Sequence, residues 1–501
     1  MITPNIDSQS KVHLYTQIYQ YIRQEIENGS LPYKAKLPST RLLAAHLQVS
    51  RNTVDMAYGQ LIDEGYIEAL PKRGYFVCDI ETMLPPGLKK PKEAQTLSPR
   101  SEMSATKSQR SFAGSDRAKN KDGGAKNEYV FSPYGVDLEN FPFGPWRKIA
   151  KDIFYDDRNF TLFEAGNPQG DEDFRSAIAS YLHQSRGVRC RTDQIIVGAG
   201  VDYLLILLFQ ILGSEAVYAI EDPSYRQAYN ILSRLGAKIC PVPLDKNGID
   251  IGHLKSSGAG IAYVTPSHHF PLGTIMPIKR RLELLSWACE ENGRYIIEDD
   301  YDSEFRYKGK PVPSLQGIDA GEKVIYLGTF SKAVAPSIRI SYLVLPQKLL
   351  DIYRRDFSFY SNTVARTEQK QMTEFMTRGY FERHLNRMRN IYKSKRDYIV
   401  QMLAPYADTA VISGETSGLH MLLSFNDGRT AKEILKTAGE NGLILFDLSD
   451  YYIDQKHMTM TNTVILGYGA LTQKQLKLQV PLLIDALFKK NKKEAAQSQL
   501  I

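Results

Sequence analysis

The stretch from Tyr326 to Ser341 constrains the fold of this chain more than any other part of the sequence. Its apolar start predicts a strand over residues 323–327, and a hydroxyl-rich turn with a single lysine, Lys332, follows directly. An arginine comes seven residues after that lysine. Hydroxyls and a guanidinium are suited to bind a phosphate, while the lysine amine can condense with an aldehyde. The candidate phosphate ligands are Thr329, Ser331 and Arg339.

A second predicted strand, from Arg294 to Ile297, ends in a run of carboxylates. Asp299 would face a pyridine nitrogen and keep it protonated, and Tyr301 could hydrogen-bond a phenolic oxygen. Neither feature is specific alone, because surface lysines and acidic loops are common. Together, in this order and spacing, they indicate pyridoxal 5'-phosphate (PLP) as the cofactor.

Length and composition indicate an ordinary globular protein with more than one domain. The chain has 501 residues, of which 24% are charged and 43% hydrophobic, and its length suggests roughly three domains. We expect no membrane segment and no export signal. The four cysteines, Cys78, Cys190, Cys240 and Cys289, show no metal-binding spacing, so we expect no metal site and a reducing, cytoplasmic location.

Residues 1–78 have the pattern of a winged helix. Apolar residues at helical spacing from Leu14 to Ile26 predict a first helix, and Ser39 and Ser50 are suited to cap two further helices separated by a tight turn. Two short alternating stretches around Pro71 to Gly74 predict a basic hairpin. A small helical scaffold for protein contacts would share this outline.

Resemblance favours the DNA-binding interpretation. Leu37 to Arg41, Val49 to Val54 and Gly74 to Val77 resemble the GntR-type winged helix. The resemblance implies that the amino end of the third helix and the wing contact DNA. The residues it assigns to this contact are Arg41, Ser50, Arg51, Thr53, Arg73 and Gly74. The predicted outward face at the amino end of the third helix adds Asn52.

Residues 79–127 differ in composition from the segments on either side. They are rich in Ser, Lys, Pro and Gly, and we interpret them as a flexible basic linker. Residues 79–127 hold ten Lys and Arg against six Asp and Glu, so they contribute four of the net charge of +7. Residues 1–78 hold eight Lys and Arg against seven Asp and Glu and contribute only one. A polar tail is expected over residues 491–501.

Residues 128–490 alternate predicted strands and helices, which indicates an α/β fold with an open sheet. A strand runs into the glycine turn Gly198 to Gly200, and an apolar helix begins near Val201, which would offer backbone amides to a phosphate. Tyr225 could stack on a flat ring. A later helix, Phe381 to Leu403, is rich in Arg and Lys and is expected to have a solvated face.

From about Tyr129 onward the sequence resembles the fold-type I aminotransferases, and the resemblance implies a large mixed α/β sheet with a smaller C-terminal α/β subdomain. Joined to the winged helix, it is similar to the MocR/GabR-type bacterial regulators. The resemblance implies that Lys332 holds PLP covalently, that Asp299 pairs with the ring nitrogen, and that the family's head-to-tail homodimer forms. It further implies roles for Tyr301 at the phenolic oxygen, Tyr225 on the ring, and Gly200, Val201, Ser331 and Arg339 around the phosphate.

Two departures from the aminotransferase pattern bear on activity. The chain reads Phe270 to Gly273 where Asn-Pro-x-Gly is typical, so a bond to the phenolic oxygen is missing unless His268 or His269 replaces it. The segment that normally holds the substrate-carboxylate arginine reads Ala470 at the expected position. Without that arginine, efficient turnover of amino acids is not expected. Arg226 is the nearest substitute.

These features leave three functional hypotheses. The favoured one is a PLP-dependent transcriptional regulator whose aminotransferase-like domain senses PLP, a small amine or an amino-acid-like effector and controls operator DNA binding. The second is a working aminotransferase with autoregulatory DNA binding. The third is a regulator in which PLP is only structural.

Overall fold

The computed structural model describes residues 12–71, 73–79, 129–307 and 312–489. It contains a small three-stranded sheet near the amino end, an eight-stranded central sheet and a four-stranded sheet near the carboxyl end. None of the described helices is long and apolar enough to cross a membrane. The expected linker over 79–127, apart from Asp79, and the expected tail over 491–501 lie outside the described residues.

The amino-terminal unit is a winged helix. Its elements are α1 (Leu14–Glu27), β1 (Lys36–Leu37), α2 (Thr40–Leu47), α3 (Arg51–Asp63), β2 (Ile67–Leu70) and β3 (Gly74–Val77). Ser39 accepts a hydrogen bond from the Leu42 amide and Ser50 accepts one from the Thr53 amide, so both predicted helix caps are confirmed. β3 pairs antiparallel with both β2 and β1, which forms the wing.

The central sheet has an arrangement of strands that creates a ligand-binding edge. Its strands are β5 (Ile195–Gly198), β6 (Val217–Asp222), β7 (Lys238–Asp245), β8 (Gly248–Ile249), β9 (Ile261–Val264), β10 (Tyr295–Asp300), β11 (Val324–Thr329) and β12 (Ser341–Val344). Their order is β5-β12-β11-β10-β9-β6-β7-β8. β11, β10, β9, β6 and β7 pair in parallel, whereas β12 is antiparallel to both of its neighbours. Parallel strands bring their carboxyl ends to one edge, where ligands bind in such sheets.

Helices cover both faces of this sheet, as expected of strands that are apolar on both sides. They are α4 (Phe143–Tyr155), α5 (Glu172–Arg186), α6 (Val201–Leu212), α7 (Arg226–Arg234), α8 (Ile251–Ser256), α9 (Ile278–Glu290), α10 (Gln347–Asp356), α11 (Arg366–Thr377) and α12 (Tyr380–Leu403). β11 extends to Thr329, two residues beyond the predicted strand, so Thr329 belongs to the strand end and not to the turn.

The carboxyl-terminal part forms a second layer of strands and helices. Its elements are β13 (Ala410–Ser413), β14 (His420–Phe425), α13 (Ala431–Glu440), β15 (Leu443–Ile444), β16 (Phe446–Asp447), β17 (Thr463–Gly467) and α14 (Gln473–Ile484), and β15 pairs with β4 (Tyr129–Val130). Strands β13-β14-β17-β16 form an antiparallel sheet. The two layers meet where Ile465 of β17 packs with Phe270, and where the segment after β16 contacts the end of β6 through hydrogen bonds to Asp222 and Ser224.

The prediction that the basic helix α12 has a fully solvated basic face is wrong at two positions. Lys395 is fully buried, and its Nζ donates to Asp137 at 2.7 Å and to the Gly469 carbonyl at 3.0 Å. Arg396 is also buried, with its guanidinium over the Tyr307 ring. Charge alone could not show this, because the compensating carboxylate lies 258 residues away in the chain.

Candidate functional site: a cofactor cavity and a DNA-reading face

A cavity lies at the carboxyl edge of the central sheet. Most of the predicted cofactor residues line it, although they come from several separate segments of the chain. The lining residues are Tyr134, Val201, Asp202, Tyr225, Thr265, Phe270, Asp299, Tyr301, Thr329, Ser331, Lys332, Pro336 and Arg339. Gly200 is the one predicted cofactor residue outside this set, and it lies directly against the Arg339 guanidinium.

Asp299 ends the buried strand β10 and is itself buried. The Tyr263 hydroxyl donates to its Oδ2, while its Oδ1 has no partner among the described residues. Burial raises the pKa of Asp299 to about 7, and the neighbouring Asp300 and Asp302 add to the rise. A buried carboxylate oxygen without a donor is costly. This geometry suits the N–H group of a protonated pyridine, which would supply the missing partner.

Lys332 follows β11 and points its amine toward the start of the second layer. Its Nζ donates to the carbonyls of Tyr134 at 2.9 Å and Pro133 at 3.1 Å. Burial lowers the pKa of Lys332 to about 8, against a smaller opposing effect of Asp302. A lowered pKa increases the fraction of neutral amine, which is the form that attacks an aldehyde.

The opposite end of the cavity is suited to a phosphate. Arg339 has a left-handed backbone and donates to Asp202 Oδ2 at 2.8 Å. Gly200, with φ of 89°, precedes α6, and a β-carbon there would collide with the Arg339 guanidinium. Thr329 Oγ1 accepts from the Ser331 amide at 3.2 Å. A glycine, a helix amino end, hydroxyls and an arginine therefore converge on one place.

The two adjacent histidines have different partners, which separates the alternatives that the sequence left open. His268 Nδ1 lies 2.9 Å from the Tyr301 hydroxyl and 2.8 Å from Asp302. His269 instead lies 3.5 Å from Glu221, and burial lowers its pKa to about 3. His268 is thus the histidine that can orient the Tyr301 hydroxyl, and its Nε2 has no partner among the described residues.

The expected position of the missing carboxylate arginine needs a correction. Ala470 is exposed, does not line the cavity, and lies against Gly135. On β17 it is Ile465 that packs with Phe270 and Tyr451 beside the cavity, because alternate residues of a strand face opposite sides. An arginine able to reach the cavity from this strand would therefore stand at 465.

Arg226 does not replace the missing arginine. Its Nη1 donates to the Tyr452 carbonyl at 3.1 Å, and its guanidinium lies 5.0 Å from the centre of the Tyr229 ring. It is not among the residues that line the cavity.

Four of the predicted DNA-contact residues, Ser50 to Thr53, lie at the amino end of helix α3. Ser50 caps α3, and its hydroxyl also lies 2.7 Å from Thr53 Oγ1, so these two residues hold the helix end. The Arg51 side chain is 70% exposed and lies 3.5 Å from Asp55. Asn52 is exposed beside it. An exposed helix amino end that carries an exposed arginine is suited to enter the major groove of DNA.

The remaining predicted contacts belong to α2 and the wing. Arg41 in α2 and Arg73 in the wing turn are exposed. Gly74 has φ of 106°, a conformation that favours glycine, and it lets β3 begin directly after the turn.

A contact between the winged helix and helix α9 was not predicted from any local sequence pattern. Ile278 and Leu282 of α9 are buried in the core cluster of the winged helix. The Ile278 amide donates to the Glu64 carbonyl at 2.7 Å, and Arg306 pairs with Asp63 at 2.8 Å. We call this contact the α9 dock. Apolar residues on a helix predict burial but not the partner, so no local signal could have identified it.

Comparisons with known proteins agree with this architecture. Residues 14–77 match the model of bacterial regulatory proteins of the gntR family, and residues 136–458 match aminotransferase class I and II. The chain is 38% identical to the uncharacterized HTH-type transcriptional regulator YdeL of Bacillus subtilis, over 95% of this chain and 97% of the relative. It is 31% identical to the probable rhizopine catabolism regulatory protein MocR of Rhizobium meliloti, over 94% and 93%.

A further relative and a solved structure extend these matches. The pyridoxine biosynthesis regulator PdxR of Corynebacterium glutamicum is 27% identical over 94% of this chain and 95% of its own length. A kynurenine aminotransferase structure from Pyrococcus horikoshii superposes with a TM-score of 0.63 at 22% identity, covering 73% of this chain and 92% of that protein. The structural match shows the aminotransferase fold of residues beyond the winged helix.

Proposed function

The chain belongs to the MocR-type bacterial transcriptional regulators, in which a GntR-type helix-turn-helix domain precedes an aminotransferase class I and II domain, and from that premise we propose that it is a PLP-dependent regulator. The winged helix binds double-stranded operator DNA. The aminotransferase-like domain binds PLP and senses an effector, which is PLP itself or a small amine or amino-acid-like ligand.

The residues of the cavity fit PLP. Asp299 Oδ1 would accept from the ring nitrogen, Tyr225 would lie on the ring, and Lys332 would hold the aldehyde carbon. The amino end of α6 with Ser331, Thr329 and Arg339 would bind the phosphate. When bound, PLP supplies an aldehyde that condenses with amines and a protonated ring that withdraws electrons.

The observation that carries the sensing role is the continuity between the cavity and the α9 dock. One segment has Asp299 and Tyr301 at the cavity and reaches Arg306, which pairs with Asp63 of the winged helix. A second has Thr265 and Phe270 at the cavity and leads into Ile278 at the dock. A ligand that displaces either segment therefore changes the contacts of the DNA-binding unit.

Efficient transamination, the alternative function, has less support. The cations that line the cavity in the described chain are Lys332 and Arg339, and both have roles toward the cofactor. An α-amino acid would have no bidentate partner for its carboxylate and would be poorly oriented for reaction. A sensor, in contrast with an enzyme, needs only to bind its ligand and does not need to orient it for reaction.

Exposed aromatic side chains support assembly of two copies. Tyr155, Phe160 and Phe163 are 83%, 67% and 74% exposed on α4 and the turn after it. Large exposed apolar groups on one stretch indicate an interface. We place the regulator in the cytoplasm as a homodimer arranged head to tail. In this dimer, the contacts seen within one chain at the α9 dock would form between the winged helix of one protomer and helix α9 of its partner.

The proposal is tested by titrating operator DNA with the purified full-length protein, with and without PLP, by fluorescence anisotropy. We expect a visible absorption band from bound PLP and an operator affinity that depends on PLP or on an added amine. Lys332→Ala should lose the band. A protein that stays colourless with added PLP, or whose operator affinity ignores both PLP and amines, contradicts the proposal. Turnover at rates of dedicated enzymes, on the order of 1 to 1,000 per second, would support the alternative.

A further inference from the structure

An acidic side chain stands at the phosphate end of the cavity. Asp202 is the second residue of α6 and lines the cavity together with Val201 and Arg339. A carboxylate in the first turn of a helix is common, because the amide groups there carry partial positive charge. A phosphate at the same turn uses the same amides and the same charge. Asp202 therefore places a second negative charge where the anionic group of the ligand would bind.

Asp202 also shares its partner with the phosphate. Its Oδ2 accepts from Arg339 Nη2 at 2.8 Å. The same nitrogen lies over the glycine turn, since a β-carbon on Gly200 would collide with it. A phosphate bound at this turn would either displace the carboxylate from Arg339 or lie beside it. Displacement breaks an ion pair, and two neighbouring anions repel each other, so both arrangements cost binding free energy.

The hydroxyls at this end have a different arrangement, because they are ordered to donate. Ser341 Oγ donates to Thr329 Oγ1 at 2.9 Å, and Thr329 Oγ1 donates to Ser331 Oγ at 3.1 Å. A hydroxyl has one proton, so this series of bonds leaves the Ser331 proton for a ligand oxygen. The ion pair of Arg339 and Asp202, in contrast, has a formal charge of zero. The charge that a phosphate meets at this end therefore depends on Asp202.

The ion pair is accessible enough to open. The side chains of Arg339 and Asp202 are 51% and 42% exposed, so water screens their attraction and can solvate each group after separation. A competitor in such a position weakens phosphate binding without abolishing it. Resting on the proposed function that PLP binds in this cavity, we propose that Asp202 competes with the cofactor phosphate for Arg339. Asp202 thereby raises the PLP concentration at which operator affinity changes.

The test removes the charge of Asp202 and keeps its size. PLP binding to the full-length wild type and to Asp202→Asn is measured by visible absorption, and operator affinity is measured by fluorescence anisotropy over the same PLP concentrations. We expect the variant to bind PLP roughly three- to tenfold more tightly, and the midpoint of the operator response should shift to lower PLP by the same factor. Asp202→Ser also removes the charge, should act in the same direction, and replaces the first variant if that one does not fold.

Three controls localise the effect to the phosphate. Pyridoxal has the same ring and aldehyde without the phosphate, so its affinity should differ less than about twofold between wild type and Asp202→Asn. Inorganic phosphate is used as a competitor of PLP, and its inhibition constant should fall by roughly three- to tenfold in the variant. Asp193→Asn removes an aspartate that pairs with Arg191 at 3.0 Å and does not line the cavity, so it should leave PLP affinity unchanged.

Opposite results contradict the inference in distinct ways. Unchanged or weaker PLP binding by Asp202→Asn, with a PLP band in both proteins, would mean that Asp202 holds Arg339 in place for the phosphate, and it overturns the competition alone. An equal gain for pyridoxal, or an equal gain in Asp193→Asn, overturns it too, since the effect would then not concern the phosphate. Tighter PLP binding without a shift in the operator response overturns the link to the operator. A wild type that stays colourless with added PLP removes the proposed function, and the competition is then overturned with it.

Discussion

Burial sets the chemistry of the two central residues of the cavity. Asp299 and Lys332 lie at the ends of neighbouring parallel strands, and loss of solvent raises the pKa of the carboxyl to about 7 and lowers the pKa of the amine to about 8. Both shifts favour the neutral forms in the cofactor-free protein. The cofactor would reverse the shift at Asp299, because its ring N–H is a partner for the ionised carboxylate.

This reversal predicts a pH dependence of cofactor stabilisation. The folded pKa of Asp299 is raised above its ordinary value of 3.8, so its contribution to stability is fully present below about pH 4 and is lost as pH rises through about 7. PLP should relieve this loss, so the free energy of unfolding that PLP adds should be larger at pH 8 than at pH 5.5 by about 2 kcal/mol, because roughly 1.5 pH units separate pH 5.5 from the raised pKa. The gain in melting temperature on adding PLP, compared at the two pH values, measures this difference.

The control for this prediction is Asp299→Asn. This substitution should remove most of the pH dependence of the stabilisation that PLP gives. Comparing loaded with unloaded protein matters, because burial also raises the pKa of Glu221, Glu298 and Glu304 to about 7, and these carboxyls do not line the cavity. If PLP stabilises the wild type equally at both pH values, Asp299 does not pair with the cofactor.

At the scale of elements, helix α3 has separate faces for packing and for DNA. Val54, Ala57 and Leu61 are fully buried, whereas Arg51 extends from the amino end with its side chain 70% exposed. The Ser50 cap fixes where the helix begins and therefore which residues project.

Arg51→Ala should weaken operator binding by about 1 to 3 kcal/mol, since one base or phosphate contact is lost. PLP uptake, followed by visible absorption, should not change, because Arg51 is remote from the cavity. Lys238→Ala, at an exposed lysine of the central sheet, is the matched control for loss of one positive charge. An unchanged operator affinity in a gel-shift titration would exclude this end of α3 as the reading surface.

Helix α9 serves two cores. Its Leu284, Leu285 and Trp287 pack in a core cluster beneath the central sheet, whereas Ile278 and Leu282 pack in the cluster of the winged helix. One rigid helix therefore joins the two units, and its first turn follows the cavity segment that contains Phe270.

Leu282→Ser should undock the winged helix without unfolding either unit. Removing a buried leucine in favour of a polar residue costs roughly 2 to 5 kcal/mol at such a contact. We expect faster amide exchange in α1 and α3 and an operator affinity that no longer responds to ligand, with PLP uptake retained. Leu478→Ser, at a leucine of α14 that is 52% exposed, is the control. A ligand response that survives undocking would mean that coupling does not pass through the α9 dock.

For the whole molecule, the exposed aromatic stretch on α4 and the following turn predicts the oligomeric state. A stable dimer interface buries more than about 1,000 Å², and Tyr155 and Phe163 are among the most exposed large apolar residues described. The double variant Tyr155→Glu, Phe163→Glu should shift the protein toward monomer in light scattering. Val411→Glu, at an exposed position of strand β13, should leave the mass unchanged. A wild type that is monomeric at micromolar concentration would contradict the dimer.

The sequence by itself determined the architecture and most of the cofactor cavity. Helix periodicity, serine caps and the wing glycine specify the winged helix, because these signals are local. Strands with polar residues at their carboxyl ends specify a site edge in a parallel sheet, which is why residues as distant as Tyr225 and Arg339 could be assigned to one cavity.

Only the tertiary structure decided which positions meet across long separations in the chain. β17 ends at Gly467, so Ala470 lies beyond the strand and against Gly135. Within the strand, alternation places Ile465 beside Phe270, and the partner layer fixes which face is inward. Tertiary contacts also decided that His268, and not His269, lies at the Tyr301 hydroxyl. They buried Lys395 against Asp137, and they placed Ile278 and Leu282 in the α9 dock. Each depends on a partner distant in sequence, and local patterns carry no information about the identity of such partners.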